Sequence, residues 1–374
     1  MRAPAAAFGL AALSACLEAP PRGVESDDGG GDPGGDGSDT AVYLRELEIR
    51  PGAVLEPLTD FPVLVRVEDD AELSGHATPA GDDISFHDAA GEPLAFEIER
   101  WVDGDLLAWV KLPSVPDDDA TTFYLRYGPG APRVDASTAV WRGDFAAVWH
   151  LEEPPAEVVD STAGGHDVVD VIGSPASTAG LLGEAISFDG GDVHLDFGAD
   201  FPAGVDAGDA LTVTAWVRYD AKASWAHFIS KATGNTFGWA MGIDIDQDFM
   251  VRVMNGTSGS FGWNAAAEPS TDVWYHWAMV FDGSGDTSAD RLRAYRDGAF
   301  VSLSFQAEIP ATFDAMGGPL YLGCATWNPS YCIEGAVDEV HVSPVVRSGG
   351  WIAAEFENQR PDSEFLTIGP EEKL

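Results

Sequence analysis

Residues 321–343 read YLGCATWNPSYCIEGAVDEVHVS, and the fold is decided by how this stretch is read. A short apolar run ends at Gly323, and Cys324 and Cys332 flank the loop ATWNPSY. After Gly335 comes a segment with a Val-Asp-Glu-Val core that ends His-Val-Ser, with the apolar and polar alternation of a β-strand. Two cysteines beside a hairpin are expected to pair in an exported protein. On the chain-entropy model, closing so short a loop stabilises by about 2–3 kcal/mol.

The same rhythm extends upstream. Residues 146–151, AAVWHL, read as a strand, and residues 160–166, DSTAGGH, as a polar turn after it. Residues 211–218 alternate strongly. Strand-length segments come next at 228–231, 239–243, 249–254, 274–281, 291–298 and 320–323. His276 lies between aromatic residues in one of these strands and reads as a hydrogen-bonded core histidine.

In that order, the motifs FDG, LTVTAWVR, FISK, WYHWAMVFDG, LRAYRDG, YLG and GAVDEVHVS resemble the concanavalin-A-like jelly roll of laminin-G type. The resemblance covers residues 141–370. It implies two curved antiparallel sheets stacked face to face, with one short helix near residues 351–358 before a last strand at 365–368. Jelly rolls of this kind often bind calcium through Asp oxygens, which are hard ligands suited to Ca²⁺. By that resemblance, a structural Ca²⁺ is expected at Asp189 and Asp192 beside the FDG turn, together with Asp338.

Glucanases of the same fold place catalytic carboxylates at alternate positions of one strand. Asp244, Asp246 and Asp248 would share a face only if a strand ran through them. The family places a hairpin turn at Asp246-Gln247-Asp248, so a turn is the expectation. A divergent glycoside hydrolase using Asp244 and Asp248 is the alternative. Other chemistries find no motif: there is no GxSxG and no HExxH, and no Gly-rich loop leads into a helix.

Residues 42–140 carry several short alternating segments separated by turns such as Pro51-Gly52 and Asp103-Gly104-Asp105. They predict an antiparallel β-sandwich. Residues 60–65, 82–88, 97–101, 108–113 and 124–128 together resemble a bacterial domain of unknown function that commonly precedes laminin-G-like modules. That resemblance implies architecture and location but no chemistry.

Residues 1–16 combine Arg2 with a short apolar run that is too short to span a bilayer, as in a secretory signal. Leu13-Ser14-Ala15-Cys16 resembles a bacterial lipobox, which implies lipidation of Cys16. Residues 17–41 are rich in Gly, Asp and Pro, cannot form a core, and read as a tether. The net charge of −42 argues against nucleic acid and anionic membrane surfaces as partners. Any membrane contact is then expected through the lipid alone.

These readings converge on an all-β, exported, lipid-anchored surface protein that binds or adheres and breaks no bond. Its expected partner is an extracellular glycan or a protein ligand. Trp225, Trp239, Trp263 and Trp327 are the candidate ligand contacts, and Cys324–Cys332 the expected disulfide. A structural envelope component with no small ligand is the remaining alternative.

Overall fold

The computed structural model describes residues 41–131, 139–315 and 317–374. The expected signal segment, the expected lipidation site Cys16 and the expected tether up to residue 40 lie outside the described residues. Among the described residues the strands pair almost wholly antiparallel.

Two sheets make the first sandwich. Tyr43–Ile49, Thr121–Tyr127 and Ser85–Asp88 pair within a five-stranded sheet. Leu58–Val67, Asp105–Val115 and Phe96–Val102 form a three-stranded sheet. Period-two alternation buries Leu47, Phe123 and Leu125 of one sheet with Val63, Leu106 and Val110 of the other. The remaining strands of the larger sheet come from far along the chain, because Leu366–Ile368 and Glu372–Lys373 both pair with Tyr43–Ile49. The sequence reading groups residues 365–368 with the second domain, whereas the ladder joins them to the first. The physical reason is that Phe365 is buried beside Phe61, and the strand covers an edge that would otherwise be open.

The second part is the expected jelly roll. An eight-stranded sheet centred on Ala210–Ala221, Glu334–Ser343 and Trp274–Asp282 faces a ten-stranded sheet containing His227–Thr233, Phe237–Ile243 and Phe249–Asn255. Trp149, Val217, Trp239, Val251 and Trp277 fill the space between them and are fully buried. The all-β class read from the sequence is therefore the class the chain adopts.

The helix Gly349–Gln359 begins at Ser348, whose Oγ accepts the Trp351 N–H at 3.0 Å. It fastens the two halves together. Asn358 exchanges both of its amide hydrogen bonds with the Leu64 backbone, at 2.7 and 3.1 Å. Trp216 Nε1 donates to Gln359 Oε1 at 2.6 Å. Ile352 and Ala354 pack in the first sandwich's core together with Ala278 and Val280 of the eight-stranded sheet. The outer face of that sheet is thus covered by the helix and the three-stranded sheet. No helix among the described residues is long and apolar enough to cross a membrane.

A single irregularity interrupts the eight-stranded sheet at its centre. Thr214 opposes His341 and Trp216 opposes Asp338, so Glu339 and Val340 together face Ala215 in a β-bulge. Glu339 absorbs the extra residue at a left-handed φ of 47°. For a residue other than glycine that costs about 1–3 kcal/mol. The bulge keeps Val337, Val340 and Val342 in the jelly-roll core and turns Glu339 and His341 to the opposite face.

Candidate ligand-binding site

Val251 and Val253 point into the core, so Arg252 between them leaves the ten-stranded sheet on its far side. Phe261 is its cross-strand neighbour. The guanidinium carbon lies 5.5 Å from the Phe261 ring centre and 5.1 Å from that of Trp327, both within cation–π reach. Trp327 comes from the hairpin 324–332, which folds over this face. Cys324 and Cys332 are cross-strand neighbours joined by the expected disulfide. Thr326 secures the hairpin: its N–H donates to Ser230 Oγ at 2.9 Å and its Oγ1 donates to Ala232 O at 3.0 Å.

His227 completes the floor. Its Nδ1 lies 2.6 Å from the Trp225 carbonyl, which can only accept, so Nδ1 carries the proton. Nε2 is buried, has no hydrogen-bond partner among the described residues, and is an acceptor while the ring is neutral. Burial, and then the Arg252 charge, push the pKa of His227 down to about 3. Burial also lowers Arg252 to about 10. One Arg252 nitrogen donates to Ser258 O at 2.5 Å, while its Nε has no partner among the described residues.

Partly exposed aromatic rings surround this pair. Trp225, held at a left-handed φ of 66°, meets Phe261 edge-on at 5.8 Å and lies 6.5 Å from Tyr331. Trp327 stands edge-on to His227 at 5.0 Å. The arrangement offers flat apolar rings for stacking, with a cation and a neutral acceptor beneath them.

Of the four expected tryptophans, Trp225 and Trp327 meet here, and Trp263 adjoins them through Phe261 at 5.7 Å. Trp239 does not. It is fully buried in the core with Nε1 donating to Val205 O at 3.0 Å, so it presents no ring to a ligand. Its strand position turned it inward together with Met241 and Ile243. His227, Arg252, Phe261 and Tyr331 were not singled out from the sequence. A lone arginine between two core valines was the available signal for Arg252.

The three aspartates expected to share a cation do not converge. Asp189 opposes Glu334, so Asp338 lies four residues further along the ladder, about 13 Å away. Asp338 is buried, and its Oδ2 accepts the N–H groups of Leu181 and Leu182 at 2.8 and 3.0 Å. Asp189 accepts Gly191 N–H at 3.0 Å in an exposed turn. Asp192 lies 3.4 Å from His194 near Cys324, whose sulfur is in the disulfide. Asp244 and Asp248 lie in the hairpin turn. Asp244 Oδ1 accepts the N–H groups of Asp246 and Asp248 at 2.9 and 3.1 Å, which occupies it in holding the turn.

Curated proteins give no sequence match. Several solved structures are similar in fold. Domain 4 of AbnA, a GH43 extracellular arabinanase from Geobacillus stearothermophilus in complex with arabinotriose, is 16% identical at a TM-score of 0.42, covering 56% of this chain and 97% of that one. The binding domain of Paraclostridial Mosquitocidal Protein 1 is 10% identical at 0.41, covering 57% and 52%. The heptameric SAP-like pentraxin of Limulus polyphemus is 17% identical at 0.33, covering 44% and 84%. Trp225, Arg252 and Trp327 all fall within residues 189–353, which match the family model described as the concanavalin A-like lectin/glucanases superfamily.

Proposed function

We propose that the protein is an exported, lipid-anchored binding module that holds a glycan on the far face of its ten-stranded sheet without cleaving it. The carrying observation is the gathering of partly exposed Trp225, Trp327 and Tyr331 over buried Arg252 and His227. Sugar rings present C–H faces that stack on aromatic rings, and buried Arg252 and His227 hold those rings from beneath. The disulfide-closed hairpin supplies Trp327 and Tyr331, so two of the rings are held in place before a ligand arrives. The lectin superfamily match over residues 189–353 supports the same reading. The role of Asp244 as a turn brace supports binding over hydrolysis. Attachment through Cys16 would display this face outside the cell.

A glycan array on the purified protein is the test, followed by titration of the best glycan against Trp327→Ala and Trp225→Ala. Each substitution is expected to weaken binding at least tenfold, while Trp239→Phe leaves it unchanged. An array with no hits, or a hit that both variants bind as well as the parent, defeats the proposal. Release of reducing ends from β-glucans that is lost in Asp244→Asn would replace it with hydrolysis.

A further inference from the structure

A second cluster lies where the first sandwich meets the jelly roll. In Phe96–Val102 alternation buries Phe96 in the first sandwich and turns Glu97 and Glu99 toward the eight-stranded sheet. From the jelly roll, His150 follows Ala147–Trp149, and the bulge presents Glu339 and His341. Glu339 Oε2 lies 2.9 Å from His150 Nδ1 and 3.4 Å from His341 Nε2. Glu99 Oε2 lies 3.5 Å from His150 Nδ1. The side chains of Glu99, His150 and Glu339 are 1%, 6% and 0% exposed, and one donor atom from each lies within 4.8 Å of the others.

Ion pairing alone accounts poorly for two features. First, each imidazole has its remaining nitrogen turned to another carboxylate that is itself held. His341 Nδ1 is 2.8 Å from Glu355 Oε1, which accepts Thr214 Oγ1 at 2.7 Å. His150 Nε2 is 3.6 Å from Glu97 Oε2, and Glu97 accepts from Trp141 Nε1 and, at 2.8 Å, from Ser161 Oγ. Proteins aim metal-binding imidazoles with such outer carboxylates. Second, Glu99 Oε1, Glu339 Oε1 and His341 Nε2 are buried with no hydrogen-bond partner among the described residues. Buried polar atoms are seldom left so.

We propose that Glu99, His150 and Glu339 bind one divalent transition-metal ion of the zinc class, with His341 Nε2 as the fourth ligand, and that this ion clips the two sandwiches together. Imidazole nitrogen beside carboxylate oxygen suits zinc and its neighbours, whereas calcium takes oxygen donors. Glu99 is the contribution of the first sandwich and the other ligands belong to the jelly roll. The burial of the site marks the ion as structural.

The test uses the full chain, stripped with EDTA, dialysed and reloaded with zinc chloride. Expected are one zinc per chain by elemental analysis and a higher melting temperature, neither reproduced by calcium chloride at the same concentration. Cobalt(II) loading should give a visible absorption band that zinc displaces. Glu99→Gln keeps an acceptor for Trp109 Nε1, which donates to Glu99 Oε2 at 2.7 Å, and should fold by circular dichroism yet bind zinc at least tenfold more weakly. Glu355→Gln should weaken binding by about 10–100-fold by releasing His341. A parent protein with no stoichiometric zinc or cobalt and a melting temperature indifferent to EDTA and zinc overturns the proposal. So does full zinc affinity retained in Glu99→Gln. The wild-type comparison decides the matter even if a variant fails to fold.

Discussion

The junction between the sandwiches and the far face of the ten-stranded sheet both bury histidine, and they treat it in opposite ways. At the junction, burial opposes charge on His150, but Glu339 and Glu99 outweigh it and lift its pKa well above the usual imidazole value. His341 is raised in the same manner, against burial, by Glu339 and Glu355. Burial and the Glu339 charge push Glu99 up to about 8. On the far face His227 is just as buried, yet its charged neighbour is Arg252 and its pKa falls to about 3. Depth does not separate the two sites. The sign of the nearest charge does, and it assigns a cohesive role to one imidazole and an acceptor role to the other.

The largest expected effect would break the junction side of this contrast. Glu339→Ala removes the acid between His150 and His341 and leaves buried charge uncompensated. Urea unfolding should register a loss of about 3–5 kcal/mol. Next comes the hairpin. Replacing Cys324 and Cys332 together with serine should cost about 2–3 kcal/mol on the entropy model, and should weaken glycan binding because Trp327 and Tyr331 lose their anchor.

A pH series sharpens the contrast. His227, and His276 with its pKa lowered to about 4 by burial, stay neutral in the folded protein well below 6.5. The unfolded chain takes up protons at about 6.5. The unfolded state therefore binds more protons as pH falls from 6.5 toward 4, and stability drops through that window by up to about 1.4 kcal/mol per pH unit for each imidazole. His227→Gln should flatten the slope by one imidazole's share in thermal melts between pH 4 and 7. In the EDTA-stripped chain the junction histidines, with raised pKa values, run the other way: their contribution is complete below 6.5 and fades as pH rises through their folded values. The smallest effect is expected from Arg252→Met. No carboxylate pairs with Arg252 among the described residues, so an apolar replacement should change stability by less than about 1 kcal/mol. A loss as large as that of Glu339→Ala would erase the distinction between the two sites.

Strands that alternate strictly were readable in the sequence alone. Ala210–Ala221 and Trp274–Asp282 pair where their apolar period places them, and the cysteine pair closes its hairpin as expected. Asp244 and Asp248 fall in a turn, as the motif order implied. The junction was not readable, for two reasons. A strict two-residue period through Val337, Glu339 and His341 sends all three to one face. The bulge at Glu339 breaks that count, and its trace in the sequence, the doubled polar pair Asp338-Glu339, does not say which of the two residues is the extra one. Glu97 and Glu99 alternate plainly with Phe96 and Ile98, but alternation says only that they face away from their own core. That another sheet waits on that side is a tertiary fact. Trp239 and Trp327 show the same limit: one indole sits in a central strand and the other in a pinned loop, and only their surroundings tell a packing ring from a presented one.

The pairing of Leu366–Ile368 with Tyr43–Ile49 bears on the order in which the molecule is assembled. A nascent chain that has reached residue 140 lacks Trp351, Ile352 and Phe365 from the centre of its first sandwich and still has a bare strand margin. Folding of the first domain ahead of the second is therefore expected to be incomplete. The first sandwich is completed only once residues 351–368 have been synthesised, and until then its bare margin is open to pairing with other chains.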